Sequence, residues 1–162
     1  MAWAKNGTPD TLGSAGGSVT ISDLTAKTFN VIMSHLLQNG GIDQKFIIDN
    51  ITTSTYAQRK SNNGGADSTN ASRANIDWGH GSVSHDQFYI AYGINIGTEE
   101  KLFMAWSMAA NTAGAANAPN RTEGTGKQSG TSAQFTQIET NDNGGSGTDI
   151  NTSSNLSAIG TD

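Results

Sequence analysis

Two histidines and an aspartate lie close together and form the clearest cluster of metal-ligand residue types in the sequence. His80 and His85 are separated by the short stretch 81–84, and Asp86 follows directly. Imidazoles with a neighbouring carboxylate are typical zinc ligands, so the cluster is a candidate metal site. The spacing of five fits one face of a helix, but the glycine and serines in between favour a turn, in which the two rings need not converge. Polar turn histidines are therefore the favoured interpretation.

Residues 144–149, Gly-Gly-Ser-Gly-Thr-Asp, fit the GGxGxD core of the calcium-binding β-roll repeat. In such a loop the glycines bend the chain so that carbonyl oxygens and the Asp149 carboxylate face one cation. That site is shared between stacked repeats, whereas the unit occurs once here, and Asn151 stands where an apolar residue is needed. Asp142 and Asp149 could still hold one Ca²⁺ through oxygen ligands. A flexible hairpin loop is the favoured alternative.

Aromatic side chains suggest a different kind of site, a surface on which sugar rings stack. Trp78 and Tyr89 are the candidates for exposed aromatic residues, with Asn and Asp side chains as partners for sugar hydroxyls. Trp106 and Tyr92 share strand faces with Met and Ile, and we expect them in the core. Core packing is the favoured interpretation of the aromatic residues as a whole, and a glycan site at Trp78 and Tyr89 is the alternative.

The sequence contains no recognisable catalytic constellation. It has no GxSxG nucleophile elbow, no cysteine, and no Walker or dinucleotide glycine motif. Glu99 and Glu100 are adjacent, so on a strand they point to opposite faces and cannot act as a facing acid and base. We therefore expect no enzymatic activity, no catalytic residues and no organic cofactor.

Composition narrows the class of protein further. The chain has 162 residues, of which 34% are hydrophobic and 14% charged, and its net charge is −5. Its nine Lys and Arg residues are scattered, which argues against nucleic-acid binding. No apolar run reaches the roughly 20 residues of a membrane span, and the first five residues do not resemble a secretory leader. We expect synthesis in a cytoplasm and no membrane partner.

The elements that must position these residues are short strands. Apolar alternation followed by an Asn or Gly break recurs along the chain, and the Asn-Gly pairs at 6, 39, 63 and 143 indicate hairpin turns. About ten strands are predicted, at 19–21, 29–37, 45–49, 55–60, 73–78, 87–95, 101–108, 121–127, 133–140 and 156–159. This pattern predicts an all-β protein, a single antiparallel jelly-roll-like β-sandwich over 19–162. Residues 1–18 are predicted to form an extended N-terminal arm that docks on a neighbouring subunit or is loosely ordered.

Two segments also fit a helix. The apolar residues of 29–37 match the i, i+3, i+4, i+7 pattern, and 99–109 begins with strong helix formers after Thr98, a potential cap. Agreement with the surrounding strand pattern favours strands for both segments.

Several stretches together resemble a group of small virion proteins from tailed phages and related marine viruses. The resemblance spans most of the chain from about Phe29 onward, and the first nine residues look similar too. The stretches that carry it are 56–67, 99–102, 118–123 and a closing segment made of Ile138 and 154–160.

The resemblance implies a jelly-roll or lectin-like sandwich and a structural role in the virion, as capsid decoration or cement, or as a vertex or fibre component. Expected partners are further copies of the chain, with a homotrimer favoured, and other capsid or tail proteins. The alternative is a carbohydrate-binding module that recognises a cell-surface glycan. The resemblance brings no catalytic residues.

Overall fold

A computed structural model describes residues 2–41, 43–80, 85–142 and 147–162. All regular secondary structure in these ranges is β-strand. The thirteen strands are β1 Ala4–Lys5, β2 Asp10–Thr11, β3 Ser18–Ile21, β4 Phe29–Leu36, β5 Gln44–Ile48, β6 Tyr56–Asn62, β7 Ser68–Arg73, β8 Ile76–Asp77, β9 Gln87–Ile94, β10 Lys101–Ala109, β11 Asn120–Gln128, β12 Ile138–Asp142 and β13 Asn155–Thr161. The prediction of strands for both ambiguous segments is confirmed, because they form β4 and β10.

The strands form two antiparallel sheets that pack into a sandwich. The large sheet has the order β1-β13-β4-β9-β10-β11-β6-β7, with β2 also paired to β13, and the small sheet has the order β3-β12-β5-β8. Eight of the strands, β3 to β8 with β11 and β12, follow the jelly-roll topology. In this topology one long hairpin of the chain folds over, so that its paired strands are divided between two sheets. Thus β3 pairs with β12, β5 with β8, and β6 with β7. The predicted all-β, jelly-roll-like sandwich is confirmed.

The fourth jelly-roll pair, β4 and β11, is interrupted by an insertion. Strands β9 and β10 pair with each other over their full length, and this hairpin lies between β4 and β11 in the large sheet. At the far edge the large sheet also gains β13 and the two short N-terminal strands. With these additions the large sheet contains nine strands, against four in the small sheet. Much of the large sheet therefore extends beyond the basic jelly-roll.

The N-terminal residues lie along β13 of the same chain. The Asn6 amide donates to the Ala158 carbonyl, and the Leu12 amide donates to the Ser154 carbonyl, both over 2.9 Å. The Thr8 amide and hydroxyl both donate to the Asp23 carboxylate, at 2.9 and 2.7 Å. The segment predicted as an arm is thus extended, and within one chain it is docked on the sandwich itself.

Aromatic rings fill the space between the sheets. Phe46 lies at the centre, 5.2 Å from Phe103, 6.2 Å from Trp78 and 6.4 Å from Tyr89 between ring centroids. Burial raises the pKa of Tyr89 above the ordinary tyrosine value. The prediction that Trp78 and Tyr89 are exposed is wrong, because their exposed fractions are 2% and 0%. Both rings are held between the sheets by their neighbours, so neither has a free face.

Buried ion pairs connect the two sheets. Asp77 in the small sheet lies 2.8 Å from the Lys60 ammonium of the large sheet and 3.2 Å from the Lys45 ammonium. Lys45 also pairs with Asp43 and is only 1% exposed along its side chain. A buried cation is tolerated only when it is paired and hydrogen-bonded. This network therefore fixes β6 against β5 and β8.

Candidate functional site

The inserted hairpin β9–β10 carries its large apolar side chains on the side that faces away from the core. Along both strands buried and more exposed residues alternate without a break. The core side holds mostly small residues, including Ala91, Gly93 and Ala105. The outward side holds Phe88, Ile90, Tyr92 and Ile94 on β9, and Leu102, Met104, Trp106 and Met108 on β10. The hairpin is therefore apolar on both faces, and only one face is covered.

Strand register aligns these side chains with those of β4, so that the three strands form four rows of three residues. The rows are Phe29-Ile94-Leu102, Val31-Tyr92-Met104, Met33-Ile90-Trp106 and His35-Phe88-Met108. We call this set of twelve residues, together with Trp3 beside it, the outer apolar face. His35 is its one basic member. Such a continuous apolar surface is unusual on the outside of a sheet, where polar residues normally alternate with buried ones.

The outer apolar face is large for a protein surface. Eight of its members and the adjoining Ile96 have exposed fractions between 38% and 52%. At about 150–250 Å² for a large side chain, these nine residues present roughly 800 Å² of apolar surface. The largest apolar patch on a typical monomer is about 300–600 Å². A surface of this size and kind marks an interaction site.

The aromatic residues of this face are arranged in fixed pairs and hollows. Tyr92 and Trp106 meet edge to face, with their ring centroids 6.1 Å apart. A hollow of about 390 Å³ lies between Trp3 and the side chains of Tyr92, Leu102 and Met104. Half-exposed Trp, Tyr and Met side chains are the types that dominate protein interfaces, because they offer a large apolar area with some adaptability.

Charged residues border the outer apolar face on one side. Across β10 and β11, Met108, Trp106 and Leu102 lie opposite Arg121, Glu123 and Lys127. These charges are paired: Arg121 with Glu123 at 3.2 Å, Lys127 with Glu100 at 2.8 Å, and Arg59 with Asp67 at 3.3 Å. The border therefore has an equal number of positive and negative groups.

A groove of about 300 Å³ runs along this border beside Trp106. Met104 and Trp106 form its apolar wall, and Arg59, Asp67 and Glu123 supply polar groups on the other side. The groove combines an exposed aromatic ring with carboxylates and a guanidinium. These groups suit a polar ligand that also has an apolar side.

The predicted calcium ligands are described only in part. Asp142 ends β12, and Asp149 lies directly before the bridge that Ile150 makes with Gly16. The core of the glycine motif between them, residues 143–146, lies outside the described residues. Within the described ranges no three His, Cys, Asp or Glu side chains are grouped as a metal site would require. Calcium binding by Asp142 and Asp149 stays a prediction.

The histidine cluster is likewise described only at its ends. His80 and His85 flank residues 81–84, which lie outside the described ranges. Asp86, the carboxylate of the cluster, accepts a hydrogen bond from the Gln38 amide at 3.0 Å. Its carboxylate therefore has a structural role in joining β9 to the end of β4.

The outer apolar face was not predicted from the sequence, although every strand that builds it was predicted. Trp106 and Tyr92 were assigned to the core, and that prediction is wrong, because they are 52% and 41% exposed. Strand periodicity shows which residues share a face but not which face is covered. One signal in the sequence could have indicated an uncovered apolar face. The hairpin has large apolar residues on one face and aromatic residues on the other face as well, and a single core covers only one of them.

Comparison with known proteins assigns no family to the chain. No protein-family model matches the sequence, and no curated protein matches it. None of the described residues forms a helix with the length and apolarity needed to cross a lipid bilayer.

Proposed function

We propose that this protein is a structural component of a virion, of the capsid-decoration, vertex or fibre type. It acts by packing its outer apolar face against another protein surface of the particle, including copies of itself. The sandwich serves as a rigid frame, and the inserted hairpin supplies the contact. The chemistry is association alone, without a catalytic step.

The observation that supports this proposal is the outer apolar face. About 800 Å² per partner is the size of a standard, stable protein interface. An apolar centre bordered by paired charges is also the usual anatomy of such an interface. The virion setting comes from the sequence resemblance, and the low charged fraction of 14% suits a protein that is packed among others.

The composition of particles tests this function. We expect mass spectrometry to find the protein as a regular component of virus particles purified from cells that produce it. We also expect hydrogen exchange in residues 87–109 to be slower in the particle than in the dissociated, monomeric chain, because the outer apolar face is covered in the particle. Absence from the particles, or equal exchange in both states, would contradict the proposal.

A second candidate function, glycan recognition, is favoured by the groove beside Trp106. A pyranose ring can place its C–H face on the exposed indole while its hydroxyls reach Asp67 and Glu123. Hydrogen bonds to charged groups are stronger than neutral ones, so the carboxylates would provide orientation. This location replaces Trp78 and Tyr89, whose rings are buried.

Glycan-array binding separates the two functions through a pair of substitutions. For a glycan site, Trp106→Ala and Asp67→Ala should each weaken binding at least about tenfold, because one removes the stacking ring and the other a hydroxyl partner. Ile94→Ala changes the outer apolar face away from the groove and should leave glycan binding unchanged. Binding that survives both groove substitutions, or no binding to any glycan, would eliminate this candidate.

A further inference from the structure

The outer apolar face has no counterpart elsewhere among the described residues. Every large hydrophobic side chain that is substantially exposed there belongs to this face or, as Ile96 does, adjoins it. The remaining described surface of the sandwich is polar, with small Ser, Thr, Asn and Gly residues. On a second copy of the chain, therefore, the described surface that matches this face is the same face.

Charge permits two copies to approach through this face despite their overall repulsion. Each chain carries a net charge of −5, which opposes association in general. At the border of the face, Arg59, Arg121 and Lys127 are balanced by Asp67, Glu123 and Glu100. A partner with a strong charge of either sign would find no complement there. The outer apolar face of a second copy is apolar and has the same balanced border charges. Bringing the two faces together therefore causes no net repulsion at the border and leaves no charge there without a partner.

Sheet geometry makes such a contact physically ordinary. Two sheets pack face to face about 10 Å apart, with side chains from both interdigitating. The exposed members of the four rows across β4, β9 and β10 provide the side chains for this packing, whereas Val31 of β4 is buried beneath its neighbours. Burying about 800 Å² on each copy gives the standard total for a specific and stable complex.

We propose, resting on the proposed function, that the partner of the outer apolar face is a second copy of this chain, bound by the same face. An interface in which both copies use one patch has two-fold symmetry. The axis lies between the two packed sheets, parallel to them and across the direction of the strands, near Tyr92 and Met104 at the centre of the rows. Leu102 of one copy then lies toward Met108 of the other. The assembly unit is a dimer, in place of the trimer that the resemblance favours.

Sedimentation of the full-length protein tests the pairing. We expect wild-type protein to run at twice the chain mass of 16.8 kDa at micromolar concentration. Met104→Lys places a charge at the centre of the contact and should weaken the dimer at least about 30-fold, the effect of losing a binding hot spot. Met104 is exposed in the single chain, so the variant should fold, which circular dichroism checks.

Thr69→Lys is the matched control. It adds the same charge at an exposed strand position of the same sheet, on β7, three strands from β10. We expect its dimer to be unchanged, since residues outside the centre of an interface contribute little. An equal loss in both variants would mean that added charge, not the outer apolar face, controls association, and would overturn the proposal.

Cross-linking tests the position of the axis. The protein has no native cysteine, so a thiol-specific cross-linker reacts only at the cysteine that is introduced. Met104→Cys should be joined to its counterpart by a bismaleimide about 10 Å long, the spacing of packed sheets. Thr20→Cys, on the outside of the small sheet, should not be joined. A cross-linked Thr20→Cys dimer, or a trimer in sedimentation, would overturn the two-fold pairing.

The outcome also separates this inference from the proposed function. If the wild type is monomeric at about 100 µM, a concentration far above the dissociation constant of a stable dimer, the second-copy inference fails. If Met104→Lys is nevertheless excluded from particles, the face binds another virion protein, and the proposed function stands. If neither association nor incorporation depends on Met104, both fail.

Discussion

Asp77 is the single carboxylate shared by two ammonium groups that are almost entirely out of contact with water. Lys45 and Lys60 approach it at 3.2 and 2.8 Å from different sheets. Removing its charge would leave two buried cations with one remaining carboxylate partner, Asp43 beside Lys45, and only the Gly79 carbonyl to accept from Lys60. The residue therefore matters for holding the sheets together more than for any chemistry at the surface.

We expect Asp77→Asn to lower the free energy of unfolding by about 2–4 kcal/mol, because breaking one side of a buried ion pair leaves uncompensated charge. Urea denaturation measures the change. Asp67→Asn breaks the exposed pair with Arg59 and should change stability by less than about 0.5 kcal/mol. Equal effects from the two substitutions would show that the Asp77 network is no stronger than a surface pair.

Asp23 fastens the N-terminal segment to the sandwich through a pH-dependent contact. The hydrogen bonds that it accepts from Thr8 hold the pKa of its carboxyl below the ordinary value of 3.8. Folding thus favours the ionised carboxylate. The stabilisation is complete above about pH 5 and is lost as the pH falls below 4 through the lowered pKa.

We therefore expect the Thr8 amide to be protected from hydrogen exchange at pH 6 and to lose protection progressively as the pH is lowered from 4 to 2, after correction for intrinsic rates. Asp23→Asn can still accept hydrogen bonds but does not titrate, so its protection should not depend on pH in this range. Wild-type protection that is the same at pH 2 and pH 6 would rule out this role for Asp23.

Among the elements, β9 and β10 show most clearly what the sequence can and cannot specify. Their bounds were predicted to within one residue, because alternation and flanking turn residues mark strands well. Their orientation was predicted wrongly. Phe46 and Trp78, with Tyr89 and Phe103 of the hairpin itself, already fill the space between the sheets, so most of the remaining inward positions of the hairpin hold small residues and its other large side chains face outward. That choice depends on the opposite sheet, which local sequence does not encode.

Other elements were missed for a different reason. Strands β1, β2 and β7 are polar and mostly exposed, so they lack the apolar alternation that marks a strand. Pairing to β13 or β6 makes them strands. The Asn63-Gly64 turn before β7 was predicted: both residues have positive φ, 52° and 73°, and the Gly65 amide closes the turn on the Asn62 carbonyl, within a connection of residues 63–67.

The inward face of β9 can be tested by a change of one methyl group. Gly93→Ala would place a Cβ 2.8 Å from the Phe103 ring, which Phe46 and Phe135 hold in place. We expect a loss of about 1–3 kcal/mol from this overpacking, measured by thermal or urea unfolding.

Gly97→Ala is the control, because the added Cβ would have its nearest neighbour at an ordinary 3.7 Å. It should leave stability unchanged or raise it slightly, because alanine lowers the conformational entropy of the unfolded chain. If Gly93→Ala were tolerated as well as Gly97→Ala, the orientation of the hairpin would have to be reversed.

The molecule as a whole consists of two parts with different roles, a jelly-roll frame and an inserted hairpin. The frame brings the two sheets together around the aromatic core. The hairpin widens the large sheet and gives it the outer apolar face. A calcium ion at Asp142 and Asp149 would act on the frame, so adding a chelator would then lower the melting temperature. An unchanged transition would remove that prediction without affecting the hairpin.

The position of β13 has a consequence for how the protein is made. This strand lies between the N-terminal strands and β4, so residues 155–161 join parts of the chain that were synthesised long before them. Contacts between residues far apart in sequence slow folding, because a long loop must close before any gain is realised. The large sheet cannot be completed until residues 155–161 have left the ribosome. Until then the edge of β4 remains open to pairing with other chains.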